Sequence, residues 1–570
     1  MISKSIFITT GCLLLASTLF AYNRQDTLRG SNGRHRSWWD VQHYALSVEF
    51  DTARKSISGS NTILARIIAP PTDSLQLDLQ ELMFMDSIVM DGQQLDFSKE
   101  GNVWWIKYPF HKKEIGTDLS FKAYYHGKPK IAKNPPWDGG FIWTKDEKEN
   151  LWIAVACQGT GASLWWPCKD YQGDEPDKGT ALKLKNMESV QIVSNGTYLN
   201  EQQRNNEELP IIETIIYQDG TMLTNSDVQF NYENDKISNW SVRNPINTYN
   251  VTFYIGNYSS WTDTLIGEKG TLNLSFYPLK YNEEKARKQF AVTKQMLHCF
   301  EYWMGPYPFY EDGYKLVEAP YLGMEHQSAI AYGNHYKMGY NGMDRSGTGV
   351  GMLFDFIIIH ESGHEWFGNN ITAQDIADNW IHEGFTTYTE TLFAEWIAGK
   401  EKAFEYCRGE WKNIRNDRPI IGDYDVNDEG SSDKYDKGAA VIHMIRMMMN
   451  NDEQFRQLLR GLNSEFYHGI VTTRQVEDYI GNFSKLPLSR FFDQYLRTTD
   501  IPVLEYYIKN KKLFYRFANV VNGFEMTVPL ENVKRKATLH ITTDWQNIKW
   551  KNTTPEFSKN FLIKLVEEHN

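Results

Sequence analysis

A chain of 570 residues is too long for one hydrophobic core and points to about three domains. Its formal net charge of -12 excludes a general nucleic-acid binder and a protein held on anionic membranes by charge, because both need concentrated basic surface. Beyond the N-terminus no segment approaches the ~20 consecutive apolar residues of a bilayer span, so no integral membrane span is expected.

The N-terminus carries Lys4, an apolar run from Ile6 to Phe20 and the small residue Ala21, which is the pattern of a secretory signal peptide over residues 1–21. The mature chain then starts near Tyr22 and is expected to be secreted or periplasmic. Cys12 lies inside the run, but too little apolar sequence precedes it to favour a lipid anchor over an ordinary cleaved signal. The remaining cysteines, Cys157, Cys168, Cys299 and Cys407, are too few and too scattered for a disulfide framework, and a Cys157 to Cys168 bridge is the one pairing to consider.

From Tyr44 onward the apolar period is two: Tyr44, Leu46, Val48 and Phe50, then Ile63, Ala65 and Ile67, then Leu75, Leu77 and Leu79. Leu119, Phe121 and Ala123 repeat it, and Val251, Phe253 and Ile255 close the series. Alternation marks half-buried strands, so residues 22–260 are assigned to an N-terminal all-β domain whose strands begin near residue 35. Past Pro278 the period lengthens. Ala286, Phe290, Leu297 and Phe300 line one helical face between Asn282 as N-cap and Gly305 as terminator. This opens a mainly helical domain over 261–502, which continues through VIHMIRMMMNNDEQFRQLLRGL and LSRFFDQYLRTT. Pro502 ends it, and alternation at Leu539 and Ile541 marks a small β module over 503–570. The fold class is multidomain α+β.

The stretch HESGHEWFGNNITAQDIADNWIHEGFTTYTE, His360 to Glu390, carries the chemistry. Residues four apart share a helical face, so His360 and His364 can turn their rings to one ion, with Glu361 beside the first. Glu383 follows His364 after 18 intervening residues and lies inside a second helix, expected to start at a capping box of Thr372 and Asp375 and to end at Gly399. Two imidazoles and a carboxylate leave a fourth position open, the arrangement of a catalytic zinc site with one ion per chain. His382 is a poorer ligand, because adjacent helical side chains diverge by about 100°. Glu390 returns to the face of Glu383 seven residues later and is placed to hydrogen-bond a ligand histidine from behind.

HESGH followed by NWIHEGF, with PYLGMEHQ upstream and YDKGAAVIHMI downstream, resembles the aminopeptidase N family of zinc metallopeptidases, including its leukotriene hydrolase branch. The resemblance covers nearly the whole mature chain and implies a saddle-like β domain, a thermolysin-like catalytic domain and a C-terminal module. It implies His360, His364 and Glu383 as zinc ligands, Glu361 as general base and then acid, and Tyr435 as hydrogen-bond donor to the tetrahedral oxyanion. It also implies that Glu325, within Gly323-Met324-Glu325, binds the substrate's free amino group, with Gln158 of CQGTGASLWWPCKD as a second amine contact. Glutamine at that place is the form of the leukotriene hydrolase branch. Gly323 and Met324 are the accompanying substrate-binding positions, Met324 on the S1 wall.

Leu322 and His326 depart from the family's G-x-M-E-N, replacing its first glycine and final asparagine. The expectation is a secreted zinc aminopeptidase acting on peptides with a free N-terminus. A zinc endopeptidase and a catalytically silent peptide-binding protein are the alternatives, and epoxide hydrolysis is a further activity that kinship alone does not warrant.

Overall fold

The computed structural model describes residues 22–186, 190–199, 215–216, 222–223, 236–531, 537–551 and 553–568, so residues 1–21, expected to be a signal peptide, and Cys12 among them lie outside the described residues. The N-terminal region is built on an eight-stranded sheet. Its long central strands, Trp39–Asp51 and Ser56–Ile67, pair antiparallel, and Trp39–Asp51 pairs parallel with Thr180–Asn186 on its other side. Alternate residues Leu46, Val48, Ile63 and Ala65 are buried, so the period-two pattern selects the face that closes the core.

A four-stranded sheet, in the order Gln191–Ser194, Phe253–Gly256, Leu151–Ala156, Gly140–Lys145, packs into the same apolar cluster. Strand Leu151–Ala156 is buried from Ile153 onward and runs straight into Cys157 and Gln158, which delivers the glutamine to the domain's inner edge. Cys157 and Cys168 are both free and buried, so the bridge considered for them does not form; each thiol sits in the apolar core, where burial raises its pKa.

The region after residue 260, expected to be mainly helical, begins with strands rather than helix. Trp261–Gly267, Gly270–Tyr277, Tyr314–Glu318, Ile330–Tyr332 and Gly323–Met324 form a five-stranded sheet in that order, so the short edge strand Gly323–Met324 ends directly at Glu325. The helical face expected after Asn282 is present but broken. Glu283–Gln289 and Thr293–Met304 are separated by a 3-10 turn at Phe290–Val292, Asn282 makes no side-chain cap, and Gly305 closes the second helix.

Four helices then surround the histidines: Phe356–Gly363, Trp380–Ala398, Lys400–Glu410 and Asp436–Met449. The second of them starts later than its capping box predicts. Thr372 lies in a strand, Ile371–Ala373, that pairs with Gly469–Val471, its hydroxyl bonds Glu175, and Asp375 caps a 3-10 turn at Ile376–Asp378. Long-range pairing has claimed the residues that locally resemble a helix start.

The C-terminal strands Val503–Lys509 and Lys512–Ala518 form the centre of a four-stranded sheet. Leu504, Leu513 and Phe517 belong to the same continuous core as Tyr495 and Ile445 of the catalytic helices. Each large apolar side chain buried there stabilises the docked state by about 1.5–3 kcal/mol, so the module is fused to the catalytic region by its core.

Candidate active site

Asp355 caps the Phe356–Gly363 helix by accepting from the backbone of Ile357 at 3.1 Å and Ile358 at 3.4 Å. Gln289, Tyr332 and Asn334 donate to the same carboxylate at 2.6, 2.7 and 2.8 Å, which ties the helix start to the sheet. The helix is apolar almost all round and fully buried, so His360, Glu361 and His364 are carried into the interior on a rigid rod. His360 Nδ1 is 2.7 Å from Glu390 Oε1, and Phe356, one turn earlier, stacks on the His360 ring with centroids 5.2 Å apart. His364 Nδ1 is 3.0 Å from the Phe367 carbonyl. Both Nδ1 atoms donate outward to these acceptors, which leaves both Nε2 lone pairs facing inward.

Those two nitrogens converge on Glu383. Its Oε2 is 3.7 Å from His360 Nε2 and 3.3 Å from His364 Nε2, is buried, and has no hydrogen-bond partner. One ligand atom from each of the three residues lies within 4.8 Å of the others. An orphaned buried carboxylate oxygen facing two imidazole lone pairs is a costly arrangement for an empty protein and a fitting one for a divalent cation. Burial pushes the Glu383 carboxyl up, but positive charge at His364 and His360 outweighs it and holds the group well below the usual range, so this carboxylate is stabilised by a cation at the place where the two rings converge.

Glu383 reaches this position because its helix crosses Asp436–Met449 at two glycines. A Cβ on Gly384 would lie 3.0 Å from the Gly438 Cα, so any side chain at either position would force the helices apart. The close crossing brings Tyr435, at the start of the second helix, within 2.9 Å of Glu383 Oε1 through its hydroxyl.

Glu325 is 2% exposed and accepts from Gln158 Nε2 at 2.7 Å and from the Tyr249 hydroxyl at 3.3 Å. Gln158 Nε2 also lies 3.3 Å from Glu383 Oε1, so the amine-binding candidates abut the metal set. Burial raises the Glu325 carboxyl, with His364 opposing and Glu383 reinforcing the shift. Glu361 faces the same space. Burial, opposed by His360 and His364 and reinforced by Glu325 and Glu383, pushes its carboxyl up to about 7. The edge strand presses against it, since a Cβ on Gly323 would stand 2.6 Å from Glu361 Oε1. Together these residues line a cavity of about 590 Å³ that also takes in Met324, Trp137 and Arg345.

All ten residues singled out in the sequence, His360, Glu361, His364, Glu383, Glu390, Tyr435, Glu325, Gln158, Gly323 and Met324, thus gather in one region. His382 does not join the metal set; its Nε2 accepts from the Ala373 backbone at 2.8 Å, and burial lowers its pKa to about 3. His326, the departure from the family pattern, is buried and neutral, and its Nδ1 meets the Tyr254 hydroxyl at 2.8 Å. Leu322 still supports the strand, its carbonyl accepting from Gly333 at 2.8 Å. Sequence reasoning missed Tyr249 and Tyr406. Tyr249 stands beside Glu325, and Tyr406 donates to Glu390 Oε2 at 2.5 Å. Neither carries a local signal: Tyr249 comes from distant chain, and Tyr406 lies one helix on, 16 residues from Glu390, at no spacing that marks a partner.

A buried His-His-Glu set with a further carboxylate beside it is the donor set of a metal-dependent hydrolase. Residues 288–495 match the peptidase family M1 domain. Leukotriene A-4 hydrolase of Xenopus laevis is 23% identical over 480 residues, which cover 78% of this chain and 69% of that protein. Aminopeptidase N of Lactobacillus helveticus is 22% identical over 496 residues, with 82% of this chain matched to 52% of that relative, so the chain spans about half its length. In fold, the chain resembles an M1 zinc metallopeptidase variant from Deinococcus radiodurans solved with a Tyr-Ser-Ala substrate, at a TM-score of 0.63 and 18% identity over 83% of this chain and 96% of that one. Native yeast LTA4 hydrolase gives a TM-score of 0.61 at 16% identity, with coverage of 80% and 68%. Residues 288–495 thus carry a peptidase family M1 domain, and the chain is a peptide hydrolase with zinc as its cofactor.

Proposed function

We propose that the protein is an exported aminopeptidase that releases N-terminal residues from peptides. The observation that supports this most is the wall formed by Glu325, Gln158 and Tyr249 directly beside the metal-binding triad. A buried anion 2.7 Å from an amide donor is a receptor for an ammonium group, and its place sets how much chain fits before the reacting bond. Only the first peptide bond reaches the base. Gln158 spends its N–H on Glu325, which leaves its Oε1 as a further acceptor for the ammonium.

His360, His364 and Glu383 would hold zinc, whose contribution there is Lewis acidity toward water and the scissile carbonyl. Glu361 accepts the proton of the attacking water and returns it to the leaving amine, a task its place beside both ligand histidines and on the cavity wall allows. Tyr435 turns its hydroxyl from Glu383 to the oxygen on which negative charge develops. Glu390 and the Phe367 carbonyl keep the two rings in the required tautomer. Export rests on residues 1–21 and is tested by the N-terminal mass of the secreted protein, which should begin near Tyr22.

The aminopeptidase reading is tested with an aminoacyl anilide and its N-acetyl form. The free amine should be cleaved and the acetylated form should not, and Glu325→Gln should raise KM for the former. Comparable cleavage of both substrates would identify an endopeptidase.

A further inference from the structure

Arg345 stands on the cavity wall and takes no part in the chemistry above. Its Nη2 donates to both carboxylate oxygens of Asp436, at 3.1 and 3.0 Å, and its Nε lies 3.4 Å from Glu410 Oε2. The guanidinium also lies 5.4 Å from the centre of the Phe356 ring and 5.7 Å from that of Tyr340. These contacts lead back to the site. Asp436 is the residue after Tyr435, and Phe356 is the ring stacked on His360. The Tyr435 backbone bonds only within its own segment, its N–H donating to the Ser432 carbonyl at 3.4 Å and its carbonyl accepting from Ala439 at 2.9 Å. Tyr435 sits between the 3-10 turn Ser432–Lys434 and the helix Asp436–Met449 with φ -74° and ψ -84°, neither helical nor extended, and its side chain makes no cap. A residue in such a joint is oriented by whatever holds its neighbours.

We propose that Arg345 is a positioning residue for the reaction: by gripping Asp436 it fixes the start of the helix and thereby the direction of the Tyr435 hydroxyl. The proposal rests on the assignment of Tyr435 as oxyanion donor. The grip requires a guanidinium. A lysine supplies the charge but not a planar set of donors that reaches Asp436 and Glu410 together.

The surrounding charges set how firm the grip is. Asp436, Glu410 and Glu390 crowd one cation, and Glu410 Oε1 is buried without a partner. Burial raises both carboxyls, Glu410 up to about 9 with Glu390 reinforcing it and Asp436 as well, and Arg345 opposes the rise at each. The paired contacts at 3.0 and 3.1 Å are what single out Asp436 as the group Arg345 holds.

The test uses the zinc-loaded full chain and Arg345→Gln, Arg345→Lys, Asp436→Asn and Tyr435→Phe, each alone and the first three also combined with Tyr435→Phe. Arg345→Gln should lower kcat on the order of 10- to 100-fold with KM nearly unchanged, and should weaken a tetrahedral aminophosphonate inhibitor by a similar factor while leaving binding of a free amino acid unchanged. In the Tyr435→Phe background the same substitution should cost nothing more.

Asp436→Asn reads the grip from the other side and should give the same pattern. Arg345→Lys is the variant to read if the glutamine protein does not fold. Fully additive losses in the double variants, or a lowered melting temperature with unchanged kcat, would show that Arg345 serves the fold alone. If Tyr435→Phe keeps full kcat, the oxyanion assignment fails first and this proposal falls with it.

Discussion

The carboxylate behind His360 provides the sharpest test of how the site is held. Glu390 is 0% exposed, its Oε1 2.7 Å from His360 Nδ1 and its Oε2 accepting from Tyr406. Glu390→Gln keeps the shape and removes the charge. The amide oxygen can face only one of the two donors. If it faces His360, the amide N–H₂ meets the Tyr406 hydroxyl, which must turn and find another acceptor in a dry interior. The bond to His360 also loses its charge assistance, which is roughly half its strength.

Losses of this kind behind a ligand histidine weaken metal binding by about 10- to 100-fold, or about 1.4–2.7 kcal/mol. Adding Tyr406→Phe removes the misplaced donor and should recover part of the loss, whereas Tyr406→Phe alone should weaken zinc only slightly. Zinc affinity measured by competition with a chelator gives the answer, with kcat at saturating zinc reduced less than affinity. A Glu390→Gln affinity within twofold of the parent would show that the carboxylate neither fixes the tautomer nor raises the basicity of His360.

Glu361→Gln should lower kcat by about 10²- to 10⁴-fold while metal analysis still finds one zinc per chain, because it removes the proton acceptor and leaves the three ligands in place. Gly323→Ala should cut activity with little loss of melting temperature, since its Cβ would stand 2.6 Å from Glu361 Oε1 and must displace the base; unchanged kcat would mean that the strand yields instead. Away from the site, burial pushes Glu175 up to about 7 from 4.5, opposed by bonds from Thr372 and Asn247. A raised carboxyl pKa favours the protonated folded state, so this stability is fully present below pH 4.5 and is lost as pH rises through about 7, a difference on the order of 3 kcal/mol. Glu175→Gln should flatten the melting temperature against pH across that window and make the protein more stable than its parent at pH 8; a parallel shift at all pH values would refute it.

Local patterns carried much of this architecture. Period-two runs at Tyr44–Phe50 and Ile63–Ile67 face a core whose sheet geometry admits only that alternation, and the spacing of His360 and His364 already states that both rings share one side of a helix. Thr372 and Asp375 show where such reading stops. Their spacing is that of a capping box, yet strand pairing with Gly469–Val471 wins because it satisfies backbone groups that a helix start would leave open.

The sequence by itself determined the kind of elements and the donor chemistry, since hydrophobic period and ligand spacing are properties of neighbouring residues. Tertiary structure alone decided which distant residues complete the site. Tyr249 arrives from a buried 3-10 turn and Arg345 from the loop before the histidine helix, while Gln158, singled out beforehand only by the resemblance of its motif, is delivered by the end of a buried strand. No interval along the chain encodes those meetings. They follow from packing, in which two glycines let the helices of Glu383 and Tyr435 touch and one continuous core locks the surrounding elements in register.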